Sequence, residues 1–423
     1  MLDFLNKQLT ELHREGLIRK PKVISAIDGA RVRIDNKWYV SFCSNDYLGL
    51  AQHPALKQAI IDATRKFGAG AGSARLLSGT TALHQQLEQA IARFKHASAT
   101  HKGEPHPHGW DALLFTSGYA ANLGVITTLI NKNDVIFCDE LNHASLVDST
   151  RLTKSRLHIY RHCDMAHLEQ LLRNAPLSEA MVGSTPKAAH REALTTHDTR
   201  RYIVTDAIFS MDGDGAPLKE IARLAGKYNA RTIVDEAHGT GVFGKNGRGW
   251  CEAQEVENKI DVIIGTASKA LGSIGGFVAG PQVLIDYIRN KSRPFIFTTA
   301  LPPGSCAATI AALKVLRNQP GLRKKLWANT DYIKSRLNQM GFDLRGSISP
   351  IIPIMIGDTK KTVAISQALW DKGFYVPAIR PPTVPQGQSR LRLTLTAMHT
   401  RKQMDGLLEN ICTFCHKDTK TPK

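Results

Sequence analysis

Aromatic residues make up only 7% of this 423-residue chain, too few to interleave with its basic residues as nucleic-acid stacking platforms do. The seven cysteines, at 43, 138, 163, 251, 306, 412 and 415, are an odd number without framework spacing. That argues against a secreted disulfide scaffold and for a reducing cytoplasm. No apolar run is long and unbroken. The longest, from Leu113 to Ile130, is interrupted by Ser117, Gly118, Asn122 and Gly124, so it reads as strand, turn and buried helix rather than as a membrane span. Leu2, Leu5, Leu9 and Leu12 share a helical face near the start, but Asp3, Lys7, Glu11 and Arg14 interrupt the run. It is no signal-peptide core, and the helix is expected to dock on its own protein. Acidic residues are scarce too: 55 Lys and Arg against 37 Asp and Glu leave a formal charge of +18. The excess is dispersed and lacks a basic repeat, so it points to an anionic substrate or carrier rather than to nucleic acid.

Between Asp111 and Gly280, short runs rich in Val, Ile and Phe alternate with helical patterns: 113–115, 135–138, 157–160, 202–205, 232–234 and 262–264. The alternation predicts an α/β unit with a mostly parallel sheet covered by helices. After Pro302 and Pro303 come two helices, 306–318 and 322–340, then strands near 351–356 and 390–395, the pattern of a smaller C-terminal α+β domain. The expected division is an N-terminal helix and segment (1–44), a large α/β domain (45–300) and a C-terminal domain with a basic tail (301–423). Two polar stretches, 96–110 and 174–199, read as surface excursions. His101, His106 and His108 in the first lack a Cys or acidic partner at a metal-binding spacing, so no metal is expected. Cys412, Cys415 and His416 match the haem-attachment pattern C-x-x-C-H, which without an export signal reads as coincidence in a basic tail.

The chemistry concentrates in two motifs, D-E-A-H-G-T-G at 235–241 and T-A-S-K-A-L-G at 266–272. Lys269 follows an apolar strand among small neutral neighbours; desolvation there lowers an amine's pKa and suits it to condensing with an aldehyde cofactor. Asp235 ends another strand, where a sheet delivers a carboxylate to a cofactor. Upstream, Thr116-Ser117-Gly118-Tyr119 turns from a strand into an apolar helix, and such a helix N-terminus binds phosphate. The glycine-rich run 68–75 lacks G-K-[ST] and no strand leads into it, so it reads as a flexible wall near the site rather than as a nucleotide loop.

Taken together, S-N-D-Y-L-G-L (44–50), T-S-G-Y-A-A-N (116–122), N-H-A-S-L (142–146), F-S-M-D-G-D-G-A-P-L (209–218) and the two motifs above resemble the α-oxoamine synthases, over nearly the whole chain. These are pyridoxal phosphate enzymes of the aspartate aminotransferase fold, type I. The resemblance implies that Lys269 binds the cofactor aldehyde and acts as base, Asp235 pairs with the pyridinium, and His238 and Ser210 reach the phenolic oxygen. It implies that His143 stacks on the ring, Gly118 and Tyr119 adjoin the cofactor, and Thr266 holds its phosphate. Thr298 or Thr299 would complete the phosphate cup of a neighbouring subunit, making an obligate homodimer with shared sites. Asn45 and Arg392 would address an amino acid carboxylate, and Arg19 and Thr383 would meet substrate. Taken singly, His143 and His238 read as satisfied structural histidines, Arg19 as a solvated charge and Ser210 as a turn cap. Within the family, A-I-R-P-P-T-V-P (378–385) followed by R-L-R-L-T-L-T-A (390–397) is similar to members that join L-alanine to a pimeloyl thioester of CoA or acyl carrier protein in biotin synthesis. Sister members that use glycine or serine, and a basic binding protein keeping the fold without catalysis, are the competing readings.

Overall fold

Branched and aromatic side chains suit a pleated, half-buried surface, and in the computed structural model each expected run is a strand. The structure describes residues 1–14, 17–18, 20–96, 109–175 and 199–415. Arg19, His101, His106, His108, His416 and most of both polar excursions lie outside them. Near the start, β1 (Ala26–Asp28), β2 (Arg31–Ile34) and β3 (Lys37–Ser41) form an antiparallel meander. Its tight turn places Asp35 and Asn36 at φ 47° and 61°, the left-handed pair that a two-residue hairpin requires.

The central sheet has seven strands. They are β4 (Trp110–Phe115), β5 (Val135–Asp139), β6 (Arg156–Tyr160), β7 (Arg201–Asp206), β8 (Ala230–Asp235), β9 (Val262–Thr266) and β10 (Gly276–Pro281). Their order is β4-β10-β9-β8-β7-β5-β6. All pairings are parallel except those of β10, which runs antiparallel to both β4 and β9. The pleat sends successive residues to opposite faces. Ile136, Val204, Ile233 and Ile264 pack with Val125 and Ile126 of the helix Gly118–Leu129. Phe137, Ile203, Val234 and Ile263 pack on the other face with Leu168, Leu172, Leu218, Ile221 and Leu224. Burying each such side chain contributes roughly 1.5–3 kcal/mol, and burial on both faces explains why these strands read as continuous apolar runs.

The C-terminal part carries β11 (Ile351–Gly357), β12 (Phe374–Tyr375), β13 (Ala378–Ile379) and β14 (Ser389–Thr394). β12 pairs in parallel with β3, so the first strands are tied to the last third of the chain. One core joins Tyr47, Leu48 and Leu50 to Leu326 and Ile333 of the helix Pro320–Gln339, to Ile352 and Leu393, and to Leu407 of the helix Arg401–Cys415. Cys412 and Cys415 end that last helix.

One expectation fails within the single chain. The helix Leu2–Arg14 buries no residue, and Leu2, Leu5, Leu9 and Leu12 remain exposed, because no apolar surface among the described residues meets their stripe. Among the described residues no helix is long and apolar enough to cross a membrane.

Gly272 shows how tightly the turn after β9 is held. It sits at φ +60°, its N–H donates to the Lys269 carbonyl at 2.9 Å, and an added Cβ would lie 2.2 Å from the Ala51 nitrogen. Gly272→Ala is therefore expected to destabilise the protein by at least about 2 kcal/mol. Gly70→Ala, with nothing within 4 Å of the added carbon, should change stability by no more than about 1 kcal/mol. Urea unfolding of the two variants checks the contrast, and equal midpoints would contradict it.

Candidate active site

Five strands deliver their carboxyl ends to one edge of the sheet, where ligands of open α/β sheets bind. β4 leads to Ser117 and Gly118, β5 to His143, β7 to Ser210, β8 to Asp235 and His238, and β9 to Thr266 and Lys269. A cavity of about 820 Å³ lies at the other edge, against Arg200, Arg231 and Val262. It contains none of the expected site residues.

Lys269 Nζ lies 2.8 Å from His238 Nε2, and His238 Nδ1 lies 2.6 Å from the Tyr47 hydroxyl. Burial lowers the Lys269 pKa to about 8, although Asp235 and Asp206 pull it the other way. Burial also holds His238 well below the usual histidine value, reinforced by Lys269 and Arg392. Burial pushes the Tyr47 phenol up, opposed by the charge of nearby Arg392. With the phenol protonated and the imidazole neutral, Tyr47 donates to His238 Nδ1, which leaves the ring proton on Nε2. His238 Nε2–H then donates to the lone pair of the Lys269 amine. Such a chain orients the amine in its neutral form, which prevails above a pH of about 8.

Asp235 is buried, with Oδ2 accepting from Asn122 Nδ2 at 2.7 Å and Oδ1 from the Ala237 N–H at 2.8 Å. Asn122 also donates to Ser145 Oγ at 2.8 Å. Beside Asp235, Asp206 accepts from the His143 N–H at 2.6 Å. Burial, and then repulsion from Asp235, push its pKa well above the usual carboxylate value. His143 caps the helix Ala144–Leu152, with its ring exposed and Nδ1 2.7 Å from Ser145 Oγ.

Arg392 is buried and donates through Nε to the Ser210 carbonyl at 2.6 Å, through Nη1 to Thr394 Oγ1 at 2.8 Å and through Nη2 to Asn45 Oδ1 at 3.3 Å. Among the described residues no carboxylate forms an ion pair with it. A desolvated guanidinium held by neutral acceptors is an anion receptor with one side committed and its charge unspent.

Gly118 begins its helix where Ser117 caps the Ala120 N–H, and a Cβ at Gly118 would stand 3.3 Å from Thr266 Cβ. Thr266 Oγ1 lies 2.7 Å from Ser268 Oγ and donates to the Gly275 carbonyl at 2.8 Å. Tyr119 is exposed and bonds Asp148.

The structure thus forms three hydrogen-bonded sets at this edge, Tyr47–His238–Lys269, Asn45–Arg392–Ser210 and Asp235–Asn122–Ser145–His143, with the Arg392 charge close to Tyr47. Thr298 and Thr299 lie elsewhere, beside Arg75 and Thr116, with Thr299 bridged to Ala74. Thr383 is exposed on the wall of a cavity of about 550 Å³ shared with Asn142, Phe209 and Arg390. Sequence reasoning missed Tyr47, Asn122 and Asp206. Tyr47 and Asn122 stood inside motifs already singled out, and Asp206 ends an expected strand as Asp235 does.

A model of the aminotransferase class I and II family matches residues 37–411. The 8-amino-7-oxononanoate synthase of Citrifermentans bemidjiense is 44% identical over 410 residues, 96% of this chain and 97% of that protein. That of Thermoanaerobacter pseudethanolicus is 41% identical over 408 residues, 96% of this chain and 95% of that protein. Among solved structures, a serine palmitoyltransferase from S. paucimobilis with a bound PLP–myriocin aldimine has a TM-score of 0.85 at 31% identity. The match covers 97% of this chain and 96% of that one.

The lowered pKa of Lys269 has a direct readout in the protein stripped of carbonyl ligands. Acylation by a small neutral ester, followed by peptide mass spectrometry, should rise at Lys269 with a midpoint at about 8, because only the free amine reacts. Solvated lysines should follow their ordinary midpoint near ~10.4. A Lys269 midpoint that coincides with theirs would contradict the desolvation argument.

Proposed function

Because the chain belongs to the class I and II aminotransferase family, in its α-oxoamine synthase branch, we propose that it condenses L-alanine with a pimeloyl thioester. The products are 8-amino-7-oxononanoate, CO2 and the free thiol, and the step belongs to biotin synthesis. The acyl donor is the thioester of CoA or of an acyl carrier protein. The observation that carries the reading is the buried Arg392, which has no carboxylate ion-pair partner among the described residues, close to the hydrogen-bonded set Tyr47–His238–Lys269. It supports a carboxylate receptor and an amine base that act on one substrate.

The family's cofactor is pyridoxal phosphate, and the residues fit it. A Cβ at Gly118 would crowd the cradle beside Thr266, and the helix it opens directs N–H groups and a positive dipole end there. Asp235 offers a buried carboxylate bound only by neutral donors, suited to a pyridinium N–H. Lys269 offers an amine of lowered pKa to the aldehyde. When bound, the cofactor supplies an electron sink for negative charge at the amino acid Cα.

The chain's own residues do the rest. Arg392, aimed by the Ser210 carbonyl and Asn45, holds the alanine carboxylate and so fixes which Cα bond is aligned for cleavage. Lys269 Nζ takes the Cα proton and later returns one to the product carbon. His238, held by Tyr47, keeps that amine oriented, and His143 presents its exposed ring as a stacking face. Arg19 and Thr383 contact the substrate. The enzyme works as a cytoplasmic homodimer in which Thr298 or Thr299 serves the neighbouring phosphate site. Exposed Leu76, Leu77 and Phe297 near the Ala74–Thr299 bridge support a partner surface there. The likeness to serine palmitoyltransferase keeps serine in view as the alternative amino acid.

A product assay with L-alanine, glycine and L-serine against pimeloyl-CoA tests the assignment. The highest kcat/KM is expected for L-alanine, and a clear preference for glycine or serine would move the protein to a sister activity. Lys269→Ala should lower kcat by at least about 10²-fold while the fold persists. Asp235→Asn should slow exchange of the alanine Cα hydrogen with solvent deuterium by orders of magnitude, of at least about 10²-fold. An unchanged exchange rate contradicts the role of Asp235.

A further inference from the structure

One cluster at the same edge of the sheet is used by none of these roles. β5 ends on Asp139, which is buried; its Oδ1 accepts from the Leu141 N–H at 2.9 Å and its Oδ2 from the Cys163 N–H at 2.9 Å. Between Asp139 and Asp214 stands His162, with Nδ1 2.9 Å from Asp139 Oδ1 and Nε2 2.6 Å from Asp214 Oδ2. Its backbone N–H donates to Glu140 Oε1 at 2.8 Å, and its ring meets Phe209 edge-on, with centroids 4.4 Å apart.

A ring nitrogen facing a carboxylate at this distance must carry a proton, and here both do, so His162 is an imidazolium. Burial alone would lower its pKa, but the hydrogen bonds to Asp139 and Asp214 outweigh burial and push it up to about 12. Asp139, His162 and Cys163 are also grouped closely enough for a metal. With both nitrogens protonated toward carboxylates, however, the ring keeps no lone pair for one.

The two carboxylates belong to the two loops that build the active site. Asp139 opens the short loop that ends at His143. Asp214 closes the hairpin after β7, where the Phe209 N–H donates to the Asp214 carbonyl at 3.0 Å and the Gly213 N–H to the Phe209 carbonyl at 2.8 Å. That hairpin carries the Ser210 carbonyl gripping Arg392 Nε and the Asp212 carboxylate paired with Arg390. Asp214 Oδ1 is buried without a hydrogen-bond partner, so its carboxylate leans on His162 through Oδ2.

We infer that His162 is a positioning residue, a charged strut whose two N–H groups fix the His143 loop and the Ser210 hairpin against each other and thereby aim Arg392 at the amino acid carboxylate. The inference rests on the proposed role of Arg392. Loss of the strut leaves Asp214 without its cation and frees the hairpin to shift.

His162→Asn keeps a donor near the Nδ1 position and His162→Gln one near Nε2, so each retains one arm and removes the link. In the holoenzyme both are expected to lower kcat/KM for L-alanine by about 10–100-fold, mainly through KM, with KM for the acyl thioester unchanged. Asp214→Ala should do the same, and combining it with His162→Gln should add little. Histidine-labelled ¹⁵N NMR gives a reading independent of turnover. One imidazolium signal should stay protonated from pH 6 to 9 in the wild type and vanish in the two His162 variants; in Asp214→Ala, which serves if those fail to fold, the same signal should lose its proton at a lower pH than in the wild type. If alanine kcat/KM holds while only the melting temperature falls, His162 is merely structural and the inference is overturned. If the wild type itself does not turn over alanine, the reaction assignment falls, and an NMR signal from a neutral His162 would separately refute the strut.

Discussion

Three neighbouring parallel strands, β8, β7 and β5, end on Asp235, Asp206 and Asp139, all buried at one edge. Three carboxylates this close cannot all stay bare, since burial and mutual repulsion both oppose charge. The structure resolves the conflict differently at each. Asp139 is matched by the His162 cation, burial and repulsion from Asp235 favour the protonated form of Asp206, and Asp235 is served by the neutral donors Asn122 and Ala237. Asp235 is thereby left as the carboxylate best placed to answer a cation brought in from outside.

The same economy governs the bases. Lys269 and His238 would both be charged in water below neutrality, yet burial favours their neutral forms. Arg392, by contrast, is a cation that cannot lose its proton. Positive charge is therefore fixed where a substrate carboxylate must be bound and made easier to shed where a lone pair must work.

The sheet was largely legible because burial on both faces demands continuous Val and Ile runs. β10 was missed, since Gly276-Phe277-Val278-Ala279-Gly280 has glycine at both ends and its antiparallel pairing leaves no crossover helix to announce it. The hairpin at Asp35 and Asn36 was missed although its turn residues are suited to it. At the site, residues within strand-end motifs were readable, because a strand end fixes where a side chain emerges. Tyr47 and Asn122 were not, since each acts through a contact made across more than a hundred positions of sequence: 191 from Tyr47 to His238 and 113 from Asn122 to Asp235. The leucine stripe of the first helix was legible as a pattern, but a pattern does not say which surface covers it.

Arg392 meets Asn45 across 347 positions of sequence, and β3 finds its neighbour β12 only near the end of the chain. A chain emerging from the ribosome folds its earlier parts first, so the sheet edge with Asp235 and Lys269 is laid down before the arginine that completes the carboxylate receptor. Yet Ala267, Ala270 and Leu271 around Lys269 share one core with Leu393 and Leu407, so the lysine's surroundings are completed only when the last strands and helix arrive, and the two halves of the site mature together.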